Sequence, residues 1–525
     1  MSSLRRSTRS FVTELIRTLK MRAAPTLAGS MAPPTIAFLA LLTLTFLLRI
    51  PGLDQPIVEN YVGRQIPTAM VARNLDRGTG FLRPSLDVAP FPNLFLVEPP
   101  IYATLVVALK RVTHLPLEPS GRLVSALGIT LAAWGLFGLV RSREGDLVAL
   151  AAVAIFAFLP VTLRYGRGFQ PDALMLGCLL AGVRLCDDSQ ASKNHFHLLA
   201  GLTLISLALA LKIVSAYILI PLVFILIPGL RLLPLLTLLP AFLWYAHAAP
   251  LLAGGSRASA DNQAVWLNVL IPSALLHFET YQNITRFLFV RSFTPLGPPL
   301  ALLGFFALKK PTDRLWRIWG ASAFFAMLAL SAKLHHEYYW LSLAPLIAFG
   351  IARFLVSLAR QGTQAKLLAT LLTFAFIVLS FSFSASTWKT PEEWKALRAA
   401  ASAIQAAVPA DALLVAPEAL LYSSDRRGCR LEFTPSAARR AAGEWNLRSD
   451  VGTPLRLVDF YRSQGARFFA DLQPAASSPD RVALHDAVRR RYNVLSDVKG
   501  VVLIAELNEP HQGADHASEG PLHRP

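Results

Sequence analysis

The chain has few charged residues. Only 16% of its 525 residues are Asp, Glu, Lys or Arg, whereas 54% are hydrophobic; an average soluble domain is about 25% charged. Apolar segments of about 20 residues, the length that crosses a bilayer, recur from residue 34 to residue 387. This composition excludes an ordinary soluble globular protein and predicts a polytopic helical membrane protein.

Acidic residues and cysteines are scarce as well. The three cysteines, Cys178, Cys186 and Cys429, offer no disulfide framework. Acidic residues number 33 against 51 basic ones, and residues 389–525 carry 18 basic and 17 acidic residues, so nearly all of the +18 net charge lies in residues 1–388. An excess of this kind in a membrane protein marks cytoplasmic loops. We therefore expect no nucleic-acid partner.

The placement of basic loops predicts the topology. The first apolar run, 35–48, follows a basic segment and ends without a small-x-small cleavage site, so we expect a retained anchor and a cytoplasmic N-terminus. The basic segment "KKPTDR" (309–314) is predicted to be cytoplasmic, and residues 51–98, the first external loop, to be outside together with the chain beyond residue 388. Counting membrane crossings from the two ends of the chain gives the same topology only if the apolar segment 99–113 does not cross the membrane. This predicts about eleven spans and at most about thirteen.

The last part of the chain changes character. In residues 389–507, apolar runs such as 412–417 and 501–507 alternate with helical segments, which predicts a small α/β domain. The polar residues 508–525 are expected to be disordered. The predicted fold class is thus mostly α: a transmembrane helical bundle in residues 1–388 and a small external α/β domain.

Polar and charged side chains of the predicted external loops collect at one membrane face. The carboxylates are Asp54, Glu59, Glu98, Asp172 and Glu337, the cations are Arg64, Arg167, Lys212, Arg286 and Arg291, and the neutral polar residues are Gln65, His335, His336 and Tyr338. Carboxylates and cations beside a membrane suit an anionic lipid-linked substrate and a base that activates its acceptor.

Most of these residues also have a simpler interpretation. Arginines near a membrane often extend to lipid headgroups, and we expect this of Arg73 or Arg77. Headgroup contact is also an alternative to substrate binding for Arg286 and Arg291. Lys212 is different, because it interrupts the apolar stretch "LISLALALKIVSAYILIPL", where an ionisable residue is costly and marks function.

Two further patterns stay open. Asp172 follows a proline and is as compatible with a helix start as with catalysis. The two adjacent histidines of "HHEYY" (335–339) do not share a helix face, so this pattern favours substrate contacts over a metal site.

Several segments, in their order along the chain, resemble the GT-C superfamily of membrane glycosyltransferases. The resemblance is closest to the bacterial branch related to protein O-mannosyltransferases and to the lipid A aminoarabinose transferase. The segments that carry it include "GRQIPTAMVARNL", "VEPPIYATLVVAL", "GRLVSALGI", "RYGRGFQPDALML", "LALKIVSAYILIPL" and "HHEYYWLSLAPLIA". Each pattern is loose by itself, and their serial order over most of the chain makes the resemblance.

The resemblance implies an inverting transferase that takes a sugar from a polyprenyl-phosphate donor at the external face of a bacterial inner membrane, with the C-terminal domain periplasmic. A carboxylate would be the base, with Glu59 as the first candidate and Asp54 and Asp172 after it. The cations would bind the donor phosphate, and the other polar residues would contact substrate. Family members often carry an Asp-Glu pair where this chain has Arg64-Gln65, so the base departs from the family pattern.

The resemblance leaves several partners open. It specifies neither the sugar nor the acceptor, which can be a lipid, a glycan or a protein. It also leaves open a divalent metal, because some members use one and no spacing in this chain demands one. Glu98 stands where close relatives carry a phosphate-contacting lysine, so an acceptor or metal role is conceivable for it.

Two other classes of function compete with the enzyme. A transporter or flippase of lipid-linked saccharides also needs cations around a phosphate, but transporters commonly contain internal repeats, and this sequence shows none. A membrane-anchored binding protein that acts through its tail is the third class. The tail sequence has no metal cluster, no Gly-rich phosphate loop and no nucleophile constellation.

Overall fold

A computed structural model describes residues 33–59, 62–252, 273–306, 313–445 and 451–508. The predictions for the N-terminal anchor sequence before residue 33, for most of the basic loop 309–314 and for the polar end beyond residue 508 lie outside these residues. The part that the structure describes is mostly helical, with one small sheet near its end.

Sixteen helices of the first 388 residues lie in the described ranges. They are Pro33–Leu47 (α1), Val62–Asp76 (α2), Ile101–Thr113 (α3), Leu117–Glu144 (α4), Asp146–Phe158 (α5), Pro160–Tyr165 (α6), Asp172–Ser192 (α7), His195–Leu211 (α8), Leu219–Ile225 (α9), Leu233–Leu236 (α10), Leu239–Leu252 (α11), Phe278–Arg286 (α12), Gly297–Phe306 (α13), Arg314–Ala329 (α14), Ala344–Ala359 (α15) and Thr363–Ser384 (α16). Short 3-10 segments, Ile213–Ile218 and Glu337–Leu343 among them, and a π-helical turn, Phe287–Ser292, connect some of them.

Four helical segments are long and apolar enough to cross a membrane, or five if one bent pair counts as a span. The four are Leu117–Glu144, Pro228–Leu252, Glu337–Ala359 and Thr363–Ala407. The predicted count of about eleven spans is therefore not confirmed in the described residues. Several apolar stretches form helices of 13 to 17 residues, such as α5 and α8, about 20–25 Å long at 1.5 Å per residue, against a hydrocarbon core of about 30 Å.

Glycines let the central helices approach closely. A Cβ on Gly177 of α7 would lie 2.3 Å from the carbonyl oxygen of Gly128 in α4, and a Cβ on Gly128 would lie 2.6 Å from the Cα of Leu174. The two backbones are thus in contact, which is the arrangement that small residues permit between membrane helices. This contact places the N-terminus of α7, where Asp172 lies, beside α4.

Helix α2 is a basic segment of the first loop. The structure buries all residues from Arg64 to Ala72, because α3, α4 and a helix of the tail pack against the helix. The tail here means the chain beyond residue 388.

The tail contains a five-stranded mixed sheet in the order β4-β3-β5-β7-β6. Its strands are Leu414–Ala416 (β3), Gly428–Arg430 (β4), Phe468–Leu472 (β5), Asn493–Val498 (β6) and Val502–Glu506 (β7), and its helices are Leu397–Ala407 (α17), Glu418–Ser423 (α18), Pro435–Gly443 (α19), Pro454–Ser463 (α20) and Pro479–Arg491 (α21). Two short strands, Ser85–Leu86 (β1) and Asn93–Leu94 (β2), form a separate hairpin in the first loop.

The first loop continues the tail sheet beyond its edge strand. Val88 forms a parallel bridge with Gly428, the amide of Ala89 donates to the carbonyl of Gly428 at 2.7 Å, and the amide of Gly428 donates to the carbonyl of Asp87 at 3.0 Å. The edge that β4 would otherwise expose is thereby covered. The tail is in this way joined by backbone hydrogen bonds to the loop that carries the predicted site residues.

Candidate active site

The start of the first loop is held by Arg122, which lies in α4 and is fully buried. Its guanidinium donates to both carboxylate oxygens of Glu59, at 2.7 and 2.9 Å, and to the carbonyl oxygens of Leu53, Gln55 and Pro56 at 2.7, 2.5 and 3.1 Å. Glu59 is only 1% exposed. The carboxylate predicted first as the base is therefore occupied by a buried arginine, and the pair fixes the loop.

Arg167 and Gln65 complete this anchor. Arg167 is fully buried and donates to the carbonyl oxygens of Pro51 and Gly52, the second at 2.6 Å; Gly52 has a φ of +67°, which glycine adopts without strain. The amide of Gln65 donates to the carbonyl of Glu59 at 2.6 Å, and its oxygen accepts from the amide of Phe169 at 2.8 Å. Both residues join the first loop to the loop before α7.

Lys212 forms an ion pair with Asp172. Its Nζ lies 2.5 Å from Oδ1 of Asp172 and 4.3 Å from the ring centroid of Tyr338, and both charged side chains are at most 8% exposed. The other carboxylate oxygen, Oδ2, has no hydrogen-bond partner among the described residues. Lys212 occupies the C-cap of α8, where the backbone becomes extended, and this break in the helix directs a cation to the start of α7.

A second ion pair joins Arg64 of α2 to Glu98, which precedes α3. Both side chains are largely buried, and the guanidinium of Arg64 also lies over the ring of Phe95 at 5.4 Å. Glu98 and Pro171, which directly precedes Asp172, line one small cavity. The two ion pairs therefore belong to one cluster, which we call the inner cluster: Arg64, Glu98, Asp172, Lys212, His336 and Tyr338.

Glu337 connects two arginines beside the inner cluster. Its carboxylate is 3% exposed and pairs with Arg164 of α6 and, at 3.0 Å, with Arg291 of the π-helical turn. Arg164 also donates to the carbonyl of Arg291 at 2.5 Å. The ring of Tyr338 contacts the ring of Tyr165. The carboxylates of Glu337 and Asp172 both lie near enough to Tyr165 for their charges to act on its hydroxyl group.

The remaining predicted residues occupy different places. Arg286 is exposed and makes no hydrogen bond or ion pair with the residues that the structure describes. His335 is exposed, and its ring contacts that of His336, which stacks on Tyr338. Burial, with the charges of neighbouring cations, lowers the pKa of His336 far below its usual range, so its imidazole is neutral. Asp54 is exposed and lies in a cleft beside the tail.

The two arginines expected at lipid headgroups form ion pairs instead. Arg73 pairs with Asp87 at 2.6 Å and with Asp425 of the tail at 3.1 Å, and Arg77 pairs with Asp425 at 2.6 Å. Arg73 also donates to the carbonyl of Tyr422 at 2.7 Å. The headgroup prediction is wrong for both, because the tail supplies carboxylate partners that sequence position does not reveal.

Sequence reasoning assigned no role to Arg122. Arg122 stands at the start of the apolar run of α4, directly after the polar residues 118–121, where a basic residue is common at a membrane edge and gives no signal of function. Tyr339, whose ring centroid lies 5.0 Å from Nζ of Lys212, carries no such signal. For metals, no group of three or more His, Cys, Asp or Glu residues suited to bind an ion occurs in the described part of the chain.

The structure is thus that of a helical membrane protein in which glycines bring α4 and α7 into contact, buried ion pairs lie beside α2 and α7, and a small α/β tail covers part of the first loop. Comparison with known proteins agrees. Residues 97–253 match the family model of dolichyl-phosphate-mannose-protein mannosyltransferases. No curated protein matches the sequence.

Three solved structures show the same fold. ArnT from Cupriavidus metallidurans bound to undecaprenyl phosphate has a TM-score of 0.55 and 14% identity, over 90% of this chain and 97% of that one. An Archaeoglobus fulgidus oligosaccharyltransferase complex with Zn and sulfate has a TM-score of 0.56 and 11% identity, over 87% and 71%. AglB from the same organism, in complex with an inhibitory peptide and a dolichol-phosphate, has a TM-score of 0.52 and 10% identity, over 88% and 72%. The resemblance to GT-C proteins is thus confirmed.

Proposed function

We propose that the protein is a membrane glycosyltransferase that moves a sugar from a polyprenyl-phosphate donor to an acceptor at the external membrane face. The observation that carries the proposal is the inner cluster, in which two largely buried cations, Arg64 and Lys212, each face a carboxylate. Two structures with this fold support the donor class, because one is bound to undecaprenyl phosphate and the other is in complex with a dolichol-phosphate.

Arg64 and Lys212 are the groups proposed to hold the donor phosphate. They come from separate elements, α2 and the end of α8. Two cations that bind one phosphate repel each other, and nearby anions offset this repulsion. Glu98 and Asp172 supply those anions in the structure, and a lipid phosphate would replace part of that interaction. Preorganised cations of this kind also stabilise the charge that develops on a departing phosphate.

Asp172 is the base we favour. Its Oδ1 accepts from Lys212, while Oδ2 has no partner among the described residues and is free to accept a proton. Glu59 is less suited, since Arg122 engages both of its oxygens. Asp54, which is exposed, is the second candidate.

The reaction would then be a single displacement. The acceptor oxygen or nitrogen attacks the anomeric carbon, the bond from that carbon to the phosphate oxygen breaks, and the proton of the nucleophile passes to Asp172. The polyprenyl phosphate leaves with the bonding electron pair and needs no proton, because cations neutralise its charge. Neutral His336 and the hydroxyl of Tyr338 lie beside Lys212 and are proposed to contact the sugar. Gln65, Arg167 and Glu59 act by fixing the loops.

The test measures donor binding and turnover separately. Protein in lipid nanodiscs is titrated with undecaprenyl phosphate, and a panel of polyprenyl-phosphate sugars is assayed for release of the free lipid phosphate. We expect Lys212→Ala and Arg64→Ala to weaken lipid-phosphate binding by about tenfold or more each, as the loss of about 1.4 kcal/mol implies. Asp172→Asn is expected to keep binding and to lose turnover.

Arg184→Ala is the matched control, because it removes a cation paired with Asp188, another aspartate of α7, at 2.9 Å. Binding that falls equally in Arg184→Ala and Lys212→Ala would contradict the assignment of the phosphate site. Saturable binding of the lipid with no release from any donor, together with movement of the lipid across liposomes, would replace the enzyme by a transporter of lipid-linked saccharides.

A further inference from the structure

A cavity lies on the side of α2 that faces away from the inner cluster. It has a volume of about 280 Å³ and is lined by the first loop from Asp54 to Val58, the start of α4 and the tail residues Leu397, Arg398, Tyr422 and Ser423. A cavity of about 300 Å³ shares Asp54, Gln55, Pro56 and Arg398 with it. We call the two together the outer cleft.

The outer cleft is distinct from the inner cluster. Ile66 of α2 lines the cleft, whereas Arg64 of the same helix pairs with Glu98, and Thr68 lines a small cavity together with Glu98. Residues two positions apart on a helix point about 200° apart. Ile66 therefore faces away from Arg64 and Thr68, and α2 separates the two sites.

The floor of the outer cleft is rigid. Arg122 binds the carbonyl oxygens of Leu53, Gln55 and Pro56 from behind, and the guanidinium of Arg398 donates to the carbonyl of Asp54 from the tail side. The opposite wall is held by the hydroxyl of Tyr422, which donates to Glu118 at 2.8 Å. These contacts preorganise the polar groups of the cleft without filling it, so little ordering is required of the protein when a ligand binds.

The charges that line the cleft balance. Asp54 and Glu118 contribute two carboxylates, and Lys395 and Arg398 contribute two cations. The carboxylate of Asp54 makes no hydrogen bond or ion pair with a described residue, although its main chain does. Apolar surface comes from Pro56, Pro116 and Pro119, which are exposed or partly exposed, whereas Ile57 and Val58 are buried. A lining of this kind offers hydrogen-bond acceptors and donors together with flat apolar contacts, and it has no net charge to attract a phosphate.

We propose that the outer cleft binds a neutral saccharide portion of the acceptor. Hydroxyl groups donate to the carboxylates of Asp54 and Glu118 and accept from Arg398, and the C–H face of the sugar packs on Pro56, Pro116 and Pro119. The role in acceptor binding rests on the proposed glycosyl transfer, whereas the occupancy of the cleft does not. The location fits an acceptor, because the cleft adjoins the loop whose other side faces the donor site.

Site-directed thiol labelling tests the occupancy. All three native cysteines are buried, so Ser423→Cys places one reactive thiol in the cleft of the full-length protein. Maleimide labelling is measured with mannotriose, maltotriose and chitotriose, and with inorganic phosphate as the charged probe. At about ten times the Kd of a saccharide, labelling slows about tenfold, because only the unoccupied fraction reacts. Ser463→Cys, an exposed residue at the end of α20, is the matched control.

The outcomes decide the proposal. The proposal is supported if saccharides slow the labelling of Ser423→Cys but not that of Ser463→Cys. The slowing should also become smaller when Asp54→Asn and Glu118→Gln are combined with Ser423→Cys. Equal labelling rates with and without each saccharide at about 100 mM would mean that every Kd lies far above 1 mM. That result overturns the proposal. Protection by phosphate and not by saccharides overturns it as well, in favour of an anion site.

A separate variant distinguishes this proposal from the proposed function. Ser423→Trp fills the cleft, and we expect it to bind undecaprenyl phosphate as the unmodified protein does while transferring sugar to a membrane glycolipid extract at a rate reduced at least tenfold. Unchanged transfer by Ser423→Trp would refute the acceptor role alone. Failure of the unmodified protein to bind undecaprenyl phosphate would refute the donor site and leave the labelling result standing.

Discussion

Replacing Glu59 by glutamine separates a structural role from a catalytic one. Glu59 and Arg122 are 1% and 0% exposed, and the guanidinium contacts both carboxylate oxygens within 2.9 Å. Removing one partner of a buried ion pair leaves the other charge without compensation and costs about 3–5 kcal/mol. We therefore expect Glu59→Gln to destabilise the protein, because Arg122 stays buried and charged.

The expected shift in melting temperature follows from the size of the chain. Unfolding entropy is about 2.1 cal/mol/K per residue, or about 1.1 kcal/mol/K for a chain of this length, so a loss of 3–5 kcal/mol lowers the apparent Tm by about 3–5 °C. Thermal unfolding of the purified protein in detergent measures it. Asp188→Asn is the control, because its pair with Arg184 spans one helical turn and is partly exposed, and such pairs contribute about 0.3–0.5 kcal/mol.

The same variant also tests the base. If Glu59→Gln keeps the apparent Tm within 1 °C of the unmodified protein, on the order of the control's own shift, and loses turnover, the assignment of Glu59 to loop anchoring is refuted and it becomes the base. If the Tm falls as expected and the surviving folded protein retains turnover, Asp172 or Asp54 is the base. Arg122→Met together with Glu59→Leu is not expected to recover the loss, because the carbonyl oxygens of Leu53, Gln55 and Pro56 then lose their donor.

Three further predictions concern packing and the tail. Burial raises the pKa of Asp425, but the hydrogen bond and charge of Arg77 and the charges of Arg73 and Arg426 outweigh it and lower the pKa from its usual range. The contribution of these pairs is therefore complete above the unfolded pKa and is lost as the pH falls through the folded pKa. Limited proteolysis should cut the tail faster below the folded pKa than at neutral pH, and this difference should be smaller in Asp425→Asn. Gly177→Ala places a Cβ 2.3 Å from the Gly128 carbonyl oxygen and should lower the apparent Tm by the equivalent of about 1–3 kcal/mol; an unchanged Tm would contradict the close contact. Gly428→Ala places a Cβ 1.9 Å from a carbonyl oxygen of β3 and should expose the tail to protease while the membrane helices stay folded.

Much of the fold follows from local pattern. The length and apolarity of the segments predicted a helical membrane protein, and the alternation of apolar runs and helical segments in the tail predicted strands close to where β3, β5 and β7 occur. Both predictions depend on hydrophobic patterns among residues that are close in the sequence. The span count did not follow, because runs of similar composition form helices of very different length, from the 13 residues of α5 to the 28 of α4.

Part of the candidate site also followed from single residues. Lys212 stands out because burying a cation among apolar residues is costly unless a partner lies near, and the structure supplies Asp172, 40 residues away, as that partner. Arg122 gave no such signal, because it follows polar residues at the start of α4, and the sequence assigned it no role. The cost of burying an ionisable side chain predicts that an oppositely charged partner exists. The sequence does not identify which residue that partner is.

What the sequence alone determined is thus the class of protein, the alternation in the tail and the positions where a charge must be compensated. Only the tertiary structure decided how the charges pair. Glu59 meets Arg122 across 63 residues, and Arg77 meets Asp425 across 348. Such pairs form where helix packing and the docked tail bring distant segments together, and each pairing withdraws a side chain from the substrate or from the lipid. The physical reason is that hydropathy and periodicity are sums over neighbours in sequence, whereas the fate of an ionisable group depends on its neighbours in space.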